Sequence, residues 1–239
     1  SYARSRTIAK RLSVEDLKAM KEAGLTRLHI GLESGNDFLL TYMNKGVTKD
    51  GHIESGRKVK KSGIELSEYV VLGMGGRKWW KEHVDDTSDV LNAINPDFIR
   101  FRTLKVTKDM PLFEKVESGD FVISSEEEII KEERSLIERL NGITSYIKSD
   151  HILNLLEEIE GKLPEDKEKM LRIIDDFTSL GDEQRLTFRF GRRAGIYRRL
   201  NDLNDELTYF KIRKQIREME QKEPGSVEKT LSLLLENYI

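Results

Sequence analysis

An α/β fold is what this sequence predicts: an incomplete parallel (β/α) barrel followed by a helical extension. Three observations carry the prediction. Segments of helical and strand periodicity alternate, the links between them are short, and each strand has one mainly apolar face. Parallel neighbours cannot be joined by tight hairpins, so the intervening helices must be the crossovers.

Ser13 with Asp16 three positions on is a helix N-cap pattern; Val14, Leu17, Met20 and Ala23 share one face, and Gly24 stops the helix. Leu28, Ile30 and Leu32 then alternate with His29, Gly31 and Glu33, a strand that runs out into Glu33, Ser34, Gly35 and Asn36. A helix from Thr48 to Ser62 closed by Gly63, the strand IELSEYVVLG, a helix from Trp79 to Ile94 and the strand DFIRFRTLKV repeat the unit. Ser125 with Glu128 opens a helix to Leu140, which leads to a weaker strand, TSYIKSD, and a short helix, HILNLLEEI. Pro164 starts a further helix. Beyond Gly181 the chain reads as helical hairpins aligning Leu200, Leu203, Leu207 and Phe210, so the expected division is a partial barrel over 1–181 and a helical extension over 182–239.

With 239 residues, 37% of them hydrophobic, the chain can bury a sizeable core without covalent staples. Lys+Arg 41 against Asp+Glu 43 nearly cancel, so no global field argues for nucleic acid or an anionic membrane. No stretch approaches the ~18 apolar residues of a membrane span, and SYARSRTIAK lacks the apolar centre of a signal peptide; a cytoplasmic protein is expected. Cysteine is absent, which excludes disulfides, thiolate catalysis and any thiolate-bound zinc or iron–sulfur site made by these residues alone.

If the apolar strand faces meet the helices, the other faces bring together His29, Gly31 and Glu33, then Ser67, Tyr69, Val71 and Gly73, then Arg100 and Arg102. A lone charge in such an interior is costly, so Glu33 is expected opposite Arg100 or Arg102, either as a structural ion pair or as the rim of a ligand site at the strands' carboxyl ends. Gly73, Met74, Gly75 and Gly76 form a glycine-rich turn that would admit a flat ring or a phosphate to the backbone. Asp150 beside His151 is a candidate proton-handling pair, or else Asp150 caps the following helix. Residues 185–199 interleave arginines with Phe188, Phe190 and Tyr197; they read as a single-stranded RNA surface, or as a solvated helix start pairing with Asp202, Asp205 and Glu206. The acidic run EEEIIKEE, 126–133, reads as a solvated helix face, and His83 as surface or core filler.

GLESGN, MNKGVT, EYVVLGMGG, EHVDDT, NPDFIRFRTL and SDHILNLL, in that order, resemble the later part of a radical S-adenosylmethionine (SAM) protein of the oxygen-independent coproporphyrinogen oxidase-like branch, and FGRRAGIYRRLNDL fits the same branch. The resemblance implies a partial barrel holding SAM and a [4Fe–4S] cluster, with a 5′-deoxyadenosyl radical as the reactive species. It implies Glu33 and Ser34 at the SAM ribose, Tyr69, Val71, Gly73 and Gly76 at the adenine pattern, Arg102 toward the SAM carboxylate, and Asp150 and His151 nearer the substrate, with Ser67, Met74 and Arg100 as further cofactor-binding candidates. A carboxylate suits vicinal hydroxyls, and a guanidinium suits a carboxylate. The family's C-x-x-x-C-x-x-C loop has no counterpart here. The chain is therefore expected to be a carboxyl-terminal fragment, inactive alone, partnered by the missing amino-terminal barrel portion or by a second copy edge to edge, or else poorly ordered over 1–12. Two other functions fit the residues: an RNA-binding or assembly module using 185–199, and a cluster-free α/β enzyme for a phosphorylated metabolite.

Overall fold

The computed structural model describes residues 1–236. Six strands form one sheet in sequence order: β1 (Tyr2–Ala3), β2 (Arg27–Glu33), β3 (Glu65–Leu72), β4 (Phe98–Thr103), β5 (Tyr146–Lys148) and β6 (Glu160–Lys162). The first five run parallel and β6 returns antiparallel. Sequential order with parallel neighbours is the winding of a barrel, and right-handed crossovers then lie on a single side. The helices α1 (Ser5–Arg11), α2 (Val14–Glu22), α4 (Lys49–Ser62), α5 (Gly76–Ile94), α7 (Glu126–Arg139) and α8 (Lys167–Ser179) pack each against a neighbour as that layer. Shorter helices, α3 (Asp37–Tyr42) and α6 (Pro111–Glu117), follow the ends of β2 and β4.

The helices expected at 13–24, 48–62 and 125–140 form for the local reason their sequence suggests. Ser13 and Asp16 make a reciprocal capping box on α2, Ser125 and Glu128 make one on α7, and Thr48 caps α4, which Gly63 closes at φ 78°. α5 starts three residues earlier than its apolar period suggests and is kinked at Trp79 (φ −121°, ψ 19°).

The face of the sheet toward the helices is dry. Leu28, Ile30 and Leu32, Leu66, Val70 and Leu72, Ile99 and Phe101, and Ile147 are all buried. Glu68 shares that face, aligned with Ile30 and Ile99, and burial pushes its carboxyl well above the usual range. On the other face His29, Glu33, Tyr69, Val71, Arg100 and Arg102 are only half-buried, because no helix crosses it.

Two expectations about this framework are corrected. HILNLLEEI is irregular and leads into β6, whose pairing with β5 satisfies the backbone there. Residues 1–12 form β1 and α1; Tyr2 and Ala3 lie beside His29 and Ile30, and Ile8 joins the core. After α8 come α9 (Asp182–Arg193), a 3-10 turn at Leu200–Asn204, α10 (Glu206–Lys222) and α11 (Ser226–Glu236). Phe188, Phe190, Tyr197, Ile212 and Ile216 continue the hydrophobic core of the sheet and its helices. Among the described residues no helix is long and apolar enough to cross a membrane.

Candidate ligand site on the open face

The segment from Glu33 to Asn36 divides its labour sharply. Ser34 is fully buried and its hydroxyl lies 2.8 Å from His83 Nδ1 on α5. Gly35 donates its N–H to Thr87 Oγ1 at 2.9 Å, and a Cβ there would run into the Asp86 carbonyl. Asn36 caps α3 and donates its side-chain amide to Asp86 at 2.6 Å. All three hold the turn to α5. Glu33 alone turns outward, at a bulge in the β2–β3 ladder and with φ 61°, a strained backbone for a residue with a side chain.

Glu33 pairs with Lys45 at 2.5 Å, not with Arg100 or Arg102 as expected. The bulge aims it at the loop after α3, and the arginines already have a partner. Asp150 accepts from Arg100 at 2.7 Å and stands 3.7 Å from Arg102. Partial burial works to raise the Asp150 pKa, and the hydrogen bond and charge of Arg100 outweigh it, so the carboxyl stays ionised. Asp150 therefore caps no helix; it is the counter-charge of β4.

Between these ends lies a strip of rings. Tyr2, His29 and Tyr69 come from adjacent strands with centroids 5.1 Å and 5.7 Å apart, and the Arg102 guanidinium sits 4.6 Å from the Tyr69 centroid. Glu33 folds back over Gly31, which aligns with Tyr69; a Cβ on Gly31 would come within 3.0 Å of its Oε1. Burial, then the terminal amine and nearby arginines, hold the His29 pKa low, so this ring is neutral. Glu33 also borders a cavity of about 460 Å³ at the ends of β1 and β2, with Arg4, Arg6, Lys45 and His52 in its wall. His52 Nδ1 meets Ser5 Oγ at 2.7 Å while its buried Nε2 has no partner among the described residues.

Of the candidate residues, the structure brings Glu33, Tyr69, Val71, Arg100, Arg102 and Asp150 to one open face, with His151 following Asp150. Burial lowers the His151 pKa, Arg102 lowers it further, and Asp150 opposes both. It does not bring Ser34, Ser67 or Met74 there. Ser34 serves α5, Ser67 is wholly buried lower on β3, and Met74 is 2% exposed. Gly73 takes φ 82° and gives its N–H to Glu132 at 2.7 Å, so its backbone is engaged inside rather than offered to a ligand. Arg4 and Arg6 had no periodicity or motif to mark them, Lys45 lies within MNKGVT with nothing there to single it out, and Tyr2 sits in a two-residue strand too short to read from sequence.

The arginine-rich segment is not a free basic surface. Arg189 and Arg193 both hold Glu126, at 2.8 and 2.5 Å, Arg192 and Arg198 hold Glu157, and Arg185 pairs with Glu127 and Asp182. Phe188, Phe190 and Tyr197 are buried and cannot stack on bases. The arginines do pair with acids, but mostly across the tertiary structure, apart from Arg185 with Asp182, rather than with Asp202, Asp205 or Glu206. The run 126–133 is likewise partly interior: Glu132 and Glu133 are each 1% exposed.

Residues 4–90 match the Radical SAM superfamily. An alignment of 123 residues is 33% identical to biotin synthase of Clostridium botulinum (strain Hall), covering 50% of this chain and 35% of that protein. Another, of 141 residues, is 24% identical to the tRNA uridine(34) acetyltransferase of Methanocaldococcus jannaschii, covering 56% of this chain and 23% of that protein. The solved structure of archaeal Methanocaldococcus infernus Elp3 with residues 1–46 deleted superposes with a TM-score of 0.50 at 21% identity, over 63% of this chain and 35% of that one, a likeness of fold. The chain thus spans about a third of the length of the biotin synthase it matches. These relatives are not coproporphyrinogen oxidases, the branch its motifs resemble. β2, the Glu33 turn, β3 and most of α5 lie inside the residues that match the Radical SAM superfamily.

Proposed function

We propose that the open face of the sheet binds SAM as the nucleoside-facing part of a radical SAM enzyme, and that the cluster ligands lie in polypeptide outside these residues. The observation that supports this most is Glu33: a strained, outward carboxylate at a strand's carboxyl end, beside an aromatic strip and a cavity. Its oxygens suit the two ribose hydroxyls, Tyr69 and Val71 offer a flat surface to adenine, and Arg4, Arg6 or Arg102 suits the methionine carboxylate. SAM fits this donor set. A [4Fe–4S] cluster does not, because the chain contains no cysteine, so no step of radical chemistry is assigned to these residues. In this reading residues 1–181 form the ligand-binding unit, the described part of the 182–239 extension, residues 182–236, buttresses it, and Asp150 and His151 border the substrate.

Calorimetric titration of the purified chain with SAM tests the reading. Saturable binding is expected, weakened about tenfold by Glu33→Gln, the loss of one charge-assisted contact. Unchanged affinity in that variant would refute it.

A second reading rests on the cations of the same cavity. Arg4, Arg6 and Lys45 against a single Glu33 favour an anion, so a cluster-free enzyme for a phosphorylated metabolite would take its phosphate there. Thermal stabilisation by a sugar phosphate, with none by SAM, would select it.

A further inference from the structure

We propose that the cavity between the 150–160 segment and the start of α10 is a separate ligand site, which takes an organic polycation bearing ammonium groups. The cavity encloses about 730 Å³. Asp150, Glu157, Glu158 and Glu160 line one side, Asp202 and Asp205 the other, and Arg198 and Arg199 are the only cations in its wall among the described residues. Asp150 and Glu157 are neutralised by arginines, and Glu160 lies 3.6 Å from Lys148. Glu158, Asp202 and Asp205 are different. Glu158 accepts from Leu200 N at 2.6 Å, Asp202 from the N–H groups of Arg198 and Arg199, and Asp205 from those of Leu207 and Thr208. Such bonds fix the carboxylates in place without cancelling their charge. None of the three is in an ion pair among the described residues.

An independent feature belongs to the wall of the same space. Tyr197 lies in the cavity wall, is 1% exposed, and its buried hydroxyl has no hydrogen-bond partner among the described residues. Its ring cannot swing away. It stacks on Phe188 with centroids 6.2 Å apart, and it occupies the room a Cβ on Gly191 would need. Burial, with the charges of Asp205 and Asp202, pushes its pKa up to about 12, so it remains a neutral phenol whose oxygen can accept. A buried hydroxyl left unmatched is unfavourable, and an N–H donor from a ligand would match it.

The wall chemistry selects the ligand class. No three metal-capable side chains converge among the described residues, so the charge is spread rather than focused. A chain of ammonium groups separated by methylenes matches dispersed carboxylates and a phenol oxygen; a compact divalent ion does not. Of these groups only Asp150 also borders the open face, and its charge is already held by Arg100; Glu158, Tyr197, Asp202 and Asp205 have no part in the function proposed above.

Spermidine, titrated calorimetrically into the full chain, is the probe. Expected is a one-to-one saturable isotherm that weakens with added salt. Tyr197→Phe, which keeps the ring, and Asp205→Asn, which keeps the helix cap, should each weaken it about fivefold, the worth of one hydrogen bond or one charge contact. Asp50→Asn, an exposed acid on α4, should leave the affinity unchanged. No saturable heat at millimolar spermidine, unchanged affinity in the Asp205 variant, or tighter binding of Mg2+ that displaces spermidine would each overturn the proposal. Circular dichroism checks that the variants fold, and Asp205→Asn decides the matter if Tyr197→Phe does not.

Discussion

A single nitrogen of Arg100 reaches both carboxylate oxygens of Asp150, at 3.0 and 2.7 Å. The contact ties the middle of β4 to the segment beyond β5, and it leaves the two guanidinium groups of the open face with one shared counter-charge. Asp150→Asn removes that charge. Because the partners are 25% and 37% exposed, the stability lost on unfolding in urea should be under about 1 kcal/mol. The freed guanidinium groups should instead bind a ligand carboxylate more tightly, seen as a lower Kd for SAM by calorimetry.

Ser34 is expected to behave as a structural residue. Ser34→Ala removes the hydroxyl partner of the fully buried His83 Nδ1, leaving Thr87 at 3.3 Å as its remaining contact. The loss should be about 1–3 kcal/mol in chemical denaturation, with SAM affinity unchanged. A variant that kept its stability and lost SAM would return Ser34 to the binding site.

Gly35 packs its backbone directly on α5. Gly35→Ala should destabilise the chain by about 2 kcal/mol or more, since neither the Asp86 carbonyl nor the Thr87 backbone can yield within a helix. A drop in melting temperature checks it.

Buried carboxyls and histidines set opposite pH responses. Burial pushes Glu132 and Glu133 up to about 8 from an ordinary 4.5, so between those values the folded chain holds protons that the unfolded chain has released. Stability falls as pH rises through that window, by up to about 1.4 kcal/mol per pH unit for each group. His52 and His83, pushed by burial down to about 4 from 6.5, are neutral when folded and charged when unfolded over that range, so their contribution rises with pH. The two effects oppose each other up to about pH 6.5, and above it only the carboxyl effect remains. The melting temperature should therefore fall from pH 6.5 to pH 8, and Glu132→Gln, which keeps an acceptor for the Gly73 N–H, should flatten the fall.

Capping and periodicity were legible because both are local. Ser13, Thr48 and Ser125 start their helices by bonding N–H groups three residues away, and the alternation of Leu28, Ile30 and Leu32 marks the face of β2 turned to the helices. The half-buried face followed from the same alternation, and it does carry Tyr69, Arg100 and Arg102. What failed was pairing. Asp150 rather than Glu33 neutralises the arginines, Glu126 rather than Asp202 takes Arg189 and Arg193, and Glu132 and Glu133 sit in the interior of what reads as an exposed acidic face.

The sequence by itself determined the longer helices and the strands β2 to β4, that those strands run parallel, and that one sheet face is polar, because hydrogen bonding within a helix and alternation along a strand act over a few residues. Only the tertiary structure decided which charge meets which, because an ion pair depends on where distant segments end in space. A bulge of one residue in β2 turned Glu33 to Lys45, and the antiparallel return of β6 framed the acidic cavity against α10; neither leaves a periodic trace in the chain.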